Sequence, residues 1–224
     1  MGGVYAREEG QPEQVWKTIY HHYLPVGVEA DAPPGKADLG AAAVTWTAVA
    51  LADKLDTVTG LMHAGERATG SRDPFALRRQ MHGIVRVLMD LPELAGIERE
   101  IAVGPLADRA RQAFVGATAA VTEQAAGFGV ERVRFALEQR GFPVEIIRAV
   151  TSTPDVVPLR ARRVAEALQR MRSSEDFQAL AVLFKRVKNI ARELPDVPGP
   201  DREALTGPAE RALLSGLDGA RPAI

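Results

Sequence analysis

Two adjoining segments at residues 51–79 decide the fold. The first reads Leu-Ala-Asp-Lys-Leu-Asp-Thr-Val-Thr-Gly at 51–60, and the second, after a short polar loop, reads Gly-Ser-Arg-Asp-Pro-Phe-Ala-Leu-Arg-Arg at 70–79. Apolar residues around the first segment recur every three or four positions, which is the spacing of one face of an α-helix. We therefore predict a helix from about Ala41 to His63 whose buried stripe is Val44, Ala48, Leu51, Leu55, Val58 and Met62.

The second segment predicts the start of another helix. Asp73 is a favoured N-cap residue and Pro74 is tolerated in a first helical turn. The helix is expected to bury Leu77, Met81, Ile84 and Leu88, and to end at Pro92. On this pattern Arg79, His82 and Arg86 fall on the opposite face, and Arg78 lies to one side.

Helical spacing continues along the rest of the chain, without strand-like alternation or an internal repeat. The predicted fold class is therefore all-α. A helix over Ser174–Leu194 is expected to bury Phe177, Leu180, Phe184, Val187, Ala191 and Leu194. A change of character near Gly127-Phe128-Gly129 predicts domains at 1–128 and 129–194, followed by a Pro/Gly-rich tail at 195–224 with one helix near Arg202–Leu217.

Composition narrows the class of protein. The chain has 224 residues, 46% of them hydrophobic, which can supply a sizeable core. No apolar run approaches the ~20 residues that a membrane span needs, so no membrane partner is expected. The absence of cysteine excludes disulfides, thiol catalysis and cysteine-based zinc sites, and fits a cytoplasmic protein.

The net charge of −1 hides an asymmetry along the chain. Residues 1–128 hold 12 basic and 16 acidic side chains, whereas residues 129–194 hold 13 and 8. A positive segment in a neutral chain can be an electrostatic footprint for RNA, although an ordinary solvated helical surface explains it equally well.

Two groups of basic residues are candidates for contact with an RNA backbone. Steps of three and four place Lys185, Lys188 and Arg192 on one helix face, flanked by Arg186 and Asn189. The alternative for this group is complementation of the helix dipole. The second group is Arg78, Arg79 and Arg86, for which solvated surface is the alternative.

The chain has no credible catalytic residue and no predicted metal site. Asp53 and Asp56 lie three apart and could share a metal, but none of the four histidines is followed by Asp, and a metal site needs converging imidazoles and carboxylates. Phosphate-binding loops, nucleophile elbows and His-Glu-x-x-His motifs are also missing.

The two segments at 51–79 resemble the β subunit of bacterial heterotetrameric glycyl-tRNA synthetase, which has an Ala-Asp-Lys-Leu-Asp helix before a Gly-Ser-Lys-Asp-Pro-Phe-Ala-Leu-Arg-Arg turn. Met1-Gly-Gly-Val-Tyr-Ala-Arg, the Tyr23-Leu-Pro ending, Ile147-Arg-Ala-Val150 and the helix at Lys185–Ile190 follow the family's order. The chain departs from the family at Met62-His63-Ala64 and at Ala68.

The resemblance implies a partial HD-like helical domain followed by the start of an anticodon-binding region, within a longer subunit. Asp53 would then be a vestigial metal ligand. The implied partners are glycine tRNA and the α subunit, in an α2β2 assembly, with no DNA. The implied activity is ATP-dependent glycylation of tRNA, with ATP and Mg used through the α subunit and no cofactor bound by this chain. Alternatives are an HD-type metal-dependent phosphohydrolase and a non-catalytic helical interaction scaffold.

Overall fold

The computed structural model describes residues 1–27, 29, 31–68, 73, 75–153, 156–192 and 204–220. Across these ranges the regular structure is entirely helical, with no strand, so the all-α prediction is confirmed. No helix within them is long and apolar enough to cross a membrane. The helices are α1 (Gly2–Glu8), α2 (Glu13–His21), α3 (Lys36–Leu39), α4 (Ala43–His63), α5 (Leu77–Met89), α6 (Leu91–Ala95), α7 (Val103–Arg111), α8 (Ala119–Gln139), α9 (Val144–Val150), α10 (Pro158–Met171), α11 (Glu175–Ala191) and α12 (Pro208–Ala220).

The chain forms two compact units, Met1–Ser173 and Ser174–Ile224. The first holds α1–α10 and the second holds α11 and α12. The boundary predicted between residues 128 and 129 instead falls inside α8, which is continuous there. Gly129 is needed for packing within this helix, because a Cβ atom there would lie 3.1 Å from Val103. Part of the predicted tail, at 195–203 and 221–224, lies outside the described residues.

The core of the first unit is built around α4 and α5. Most of the predicted stripes are confirmed, because Leu51, Leu55, Val58 and Met62 of α4 share a buried cluster with Leu77, Met81, Ile84 and Leu88 of α5. The first turn of the α4 stripe was predicted wrongly. Val44 is 59% exposed and Ala48 is exposed, whereas Trp46 and Ala50 are fully buried. The Trp46 indole explains the shift, since it donates a 2.9 Å hydrogen bond to the carbonyl of His21 at the end of α2.

Helix α5 is buried on more than one side. Its residues Val85 and Met89 belong to a second apolar cluster, formed with side chains of α8, α9 and α10. Every residue from Met81 to Leu91 is consequently buried. A helix packed on two sides has no solvent face, which is why the amphipathic pattern misplaced His82 and Arg86.

Lys54 of the 51–60 segment is an unexpected member of this core, because only 1% of it is exposed. Its ammonium group donates a 3.1 Å hydrogen bond to the carbonyl of His22, just after α2. The stem passes beneath Gly83 of α5, where a Cβ atom would lie 2.7 Å from Lys54 Cε. Burial lowers the pKa of Lys54 to about 8, although the charge of Asp53 opposes this change. Lys54 and Trp46 together satisfy carbonyls at the end of α2 and fix α2 against α4.

Candidate nucleic-acid interface

Helix α11 starts with a complete set of N-terminal signals. The Ser174 hydroxyl accepts a 3.3 Å hydrogen bond from the backbone N–H of Phe177. Glu175 and Asp176 occupy the first turn, where the helix dipole favours negative charge. These local signals account for a helix at this position without help from tertiary packing.

The apolar stripe predicted for α11 is present but is not buried, so this prediction was wrong for the described residues. Phe184 is 67% exposed and Val187 is 55% exposed, and no residue of α11 is buried. Leu194 lies outside the described residues. A helix can bury its stripe only against other elements, and α11 and α12 are the helices that the second unit offers within its described part.

The basic face of α11 has the geometry expected of a phosphate-contacting surface. Lys185, Lys188 and Arg192 are exposed at steps of three and four, and span about 10 Å along the helix axis. Arg192 donates a 2.8 Å hydrogen bond to Asn189 Oδ1, and Arg186 is exposed beside the stripe. Within the described part of the chain, none of the four cations forms an ion pair with a carboxylate.

The arginines of α5 have different environments. Arg79 is exposed and Arg78 is half-buried. Helix α5 begins at Leu77 rather than at Asp73, after Ala76 in a left-handed conformation with φ of 56°. The Asp73 carboxylate still caps the first turn, because it accepts hydrogen bonds from the backbone N–H groups of Leu77 (2.7 Å) and Arg78 (3.1 Å). Pro74 lies outside the described residues.

Arg86 corrects the predicted facing of α5, because only 6% of it is exposed. Its Nε donates a 2.6 Å hydrogen bond to Asp90 Oδ2, and its terminal nitrogens donate to the carbonyls of Glu29 and Ala32. These bonds tie the segment before α3 to α5. A guanidinium group that is buried and bonded in this way stabilises the packing of the first unit. We therefore remove Arg86 from the candidate interface.

Asp90 is the centre of a buried ionic network that the sequence did not reveal. Besides Arg86, it pairs with Arg140 of α8 at 2.7 Å and with Arg162 of α10 at 2.8 Å. Arg162 also binds Glu93 at 2.6 Å. Burial raises the pKa of Glu93, but hydrogen bonding and charge from Arg162 outweigh it, so the net direction is downward. Partners 50 and 72 positions apart leave no periodic signal in the sequence.

This network offers a structural explanation for part of the excess of basic over acidic residues at 129–194. Within the first unit, Arg140 and Arg162 share the buried carboxylate of Asp90, and Arg160 and Arg163 pair with Glu100 and Glu98. Much of the excess charge in α8–α10 therefore holds helices together. On α11, Lys185, Arg186 and Lys188 form no ion pair with a carboxylate of the described residues.

Asp53 belongs to no cluster of possible metal ligands within the described residues. Asp53 and Asp56 are exposed on α4. Among the described residues, no three His, Asp or Glu side chains come together in a way that could hold a metal ion. The arrangement around Asp53 therefore offers no support for metal-dependent chemistry.

An open cleft of about 910 Å³ in the first unit lies between α7, α8 and residues 151–153. Its polar groups are largely used within the protein. Asp108 binds Arg111 at 2.8 Å, and Arg134 donates a 2.9 Å hydrogen bond to Thr151 Oγ1. Hydrogen bonding from Arg111 lowers the pKa of Asp108 most, partly opposed by burial. The Thr122 hydroxyl in this lining donates a 3.3 Å hydrogen bond to Asp108 Oδ1, but the same oxygen is already held by Arg111 at 2.8 Å.

Comparison with known proteins identifies the family. Residues 1–152 match the family described as glycyl-tRNA synthetase beta subunit. The chain belongs to this family. Family membership therefore covers α1–α9 directly, including the α4–α5 core and the buried Lys54.

Individual members of the family extend the similarity through α11. The glycine–tRNA ligase beta subunit of Anaeromyxobacter dehalogenans (strain 2CP-C) is 36% identical over 225 residues, covering 97% of this chain. Those of Acidobacterium capsulatum and Pseudomonas aeruginosa (strain LESB58) are each 33% identical, and each covers 96% of this chain. The chain spans only about 30% of the length of these curated relatives.

Proposed function

We propose that this chain is a tRNA-contacting part of the β subunit of glycine–tRNA ligase, and that α11 presents the contacting cations. The observation that carries the proposal is the exposed stripe of Lys185, Lys188 and Arg192, which lacks carboxylate partners in the described part of the chain. Exposed cations on one helix face can each neutralise a backbone phosphate without disturbing a core. Arg186 and Asn189 flank this stripe, and Arg78 and Arg79 form a second candidate group in the first unit.

The wider role follows from the family. In this proposal the subunit works with an α subunit in an α2β2 assembly in the cytoplasm. The α subunit carries the glycylation chemistry with ATP and Mg, and this chain alone is non-catalytic and binds no cofactor. The first unit corresponds to part of an HD-like domain in which Asp53 has no metal, and α11 belongs to the start of the anticodon-binding region.

Reversing the charge of two cations tests the interface directly. We expect the double variant K185E/K188E to weaken binding of glycine tRNA to this chain. We also expect each lost contact to flatten the slope of log K against log salt by about 0.7–0.9. Fluorescence titration with glycine tRNA at several salt concentrations measures both quantities.

A matched control separates specific contact from net charge. The double variant K36E/R99E makes the same change of charge at two exposed cations of the first unit. We expect it to bind tRNA almost as well as the parent chain. Equal losses of affinity in the two double variants would show that α11 contributes only to the overall charge of the chain and makes no specific contact. An affinity for tRNA that does not depend on salt concentration would exclude phosphate contact.

In the full-length subunit the same substitutions should act on tRNA binding and not on chemistry. We expect K185E/K188E to raise KM for tRNA in the aminoacylation assay, while glycyl-adenylate formation without tRNA stays unchanged. If these cations only complement the helix dipole, the substitutions will lower thermal stability and leave KM for tRNA alone.

A further inference from the structure

Arg132 of α8 occupies an unusual environment in the first unit. Its guanidinium carbon lies 5.6 Å from the ring centroid of Phe128 and 5.3 Å from that of Phe135. These rings are four residues before and three residues after Arg132, so all three side chains share one face of α8. Two cation–π contacts hold the planar group in a fixed orientation.

The same face of α8 meets the first turns of α5. The ring of His82 packs edge-on against Phe135, with centroids 5.5 Å apart. Arg78 lies one turn before His82 on α5, and its positive charge is felt by Arg132. Burial lowers the pKa of Arg132 most, and Arg78 lowers it further, while Glu131 and Asp73 oppose the change. Arg78 and His82 are four residues apart on α5, so Arg78 lies on the side of this helix that packs against α8.

No carboxylate of the described residues forms an ion pair with Arg132. Its Nε is buried and has no hydrogen-bond partner within the described part of the protein. Asp73 uses both carboxylate oxygens to cap α5, and the adjacent Glu131 projects about 100° away around the helix. Arg140 and Arg162, in the same unit, both form ion pairs with Asp90.

We propose that Arg132, held between Phe128 and Phe135, forms with Arg78 a phosphate-binding site of the first unit, and that its occupant is a backbone phosphate of RNA. A planar guanidinium with a free edge matches the bidentate geometry of a phosphate. The neighbouring positive charge strengthens the attraction for the negative charge of a phosphate group. RNA is favoured over an acidic protein because this inference rests on the proposed tRNA-binding function, and the site would give the first unit an anchor of its own.

Inorganic phosphate tests the site independently of RNA. We expect phosphate, compared with chloride at equal ionic strength, to raise the Tm of the chain. We expect this increment to vanish in R132Q and to fall in R78Q. The control is R134Q, two residues away on α8, whose guanidinium is bonded to Thr151. An unchanged increment in R132Q, or an equal loss in R134Q, would overturn the site.

The comparison remains informative if R132Q is unstable, because the increment is measured within each variant. A second variant, R132K, keeps the charge but loses the planar, bidentate geometry. We expect it to fold and to show a reduced increment. A full increment in R132K would show that any charge suffices and would overturn the proposed clamp.

Titration with tRNA decides the occupant. We expect R132Q to raise the dissociation constant for tRNA about tenfold, as for loss of a charged hydrogen bond, and R134Q to leave it unchanged. Loss of the phosphate increment in R132Q with unaltered tRNA affinity would overturn RNA as occupant in favour of free phosphate or an acidic partner. Failure of the parent chain to bind tRNA, with the increment intact, would overturn the proposed function and keep the anion site.

Discussion

The arginines of α10 and the cations of α11 lie close together in the sequence but differ in whether they pair with carboxylates. Arg162 is buried between Asp90 and Glu93, and Arg160 and Arg163 reach carboxylates of the segment after α6. Lys185, Lys188 and Arg192 meet no carboxylate among the described residues. Positive charge in a sequence is therefore ambiguous, and only the presence or absence of a nearby carboxylate separates a charge that holds helices together from one that can meet RNA.

Removing the central carboxylate of the network should have the largest effect. We expect D90N to destabilise the chain by about 3–5 kcal/mol, because it leaves the buried guanidinium groups of Arg86 and Arg140 without their counter-charge and removes one of the carboxylates that hold Arg162. Urea unfolding followed by circular dichroism measures the change. A loss below 1 kcal/mol would show that the guanidinium groups are hydrated in the variant. The charges of the network would then stabilise the fold little more than the exposed cations of α11 do.

Truncation of apolar stripes should distinguish the two units almost as strongly. We expect L55A or L77A to cost about 2–5 kcal/mol, since both side chains are in the α4–α5 core. The exposed R79A on α5 is the matched control, with an expected change within about 0.5 kcal/mol. We expect F184A on α11 to resemble R79A in this chain. Equal losses in L77A and R79A would contradict the facing assigned to α5.

The pH dependence of stability should reveal the buried Lys54. Its pKa falls from 10.5 to about 8 on folding, so between these values the unfolded chain binds more protons than the folded one. The contribution of Lys54 to stability therefore rises as the pH increases from about 8 to 10.5, by up to about 3 kcal/mol. We expect the stability difference between the parent chain and K54M to grow over this window. A difference independent of pH would show that Lys54 keeps its ordinary pKa.

Charge reversal on α11 should have the smallest effect on stability. We expect K185E/K188E to change the free energy of unfolding by less than about 0.5 kcal/mol for each substitution, because both side chains are exposed and lack ion pairs within the described residues. The same thermal and urea measurements serve here. A larger loss would indicate that these cations complement the helix dipole. The charges of α11 would then stabilise the fold, as those of α10 do.

The candidate interface could be predicted from sequence where it depends on one helix alone. Lys185, Lys188 and Arg192 share an exposed face as their spacing required, because side chains three and four apart are neighbours on any helix. Arg86 could not be placed in this way, since it is held by the carbonyls of Glu29 and Ala32, which lie 57 and 54 positions away in the sequence. Arg132 was missed because its environment combines local aromatic neighbours with an arginine of another helix.

The sequence by itself determined the all-α class, the α4–α5 stripes and the start of α11 at its Ser174 cap, because periodicity and capping act within a few residues. Only the tertiary structure decided that α5 is enclosed, that Lys54 is buried, that Asp90 gathers arginines from three helices, and that the α11 stripe is exposed. The physical reason is the separation along the sequence over which each kind of interaction acts. Helical pattern depends on neighbours three and four positions apart, whereas burial and ion pairing join residues 32 to 72 positions apart.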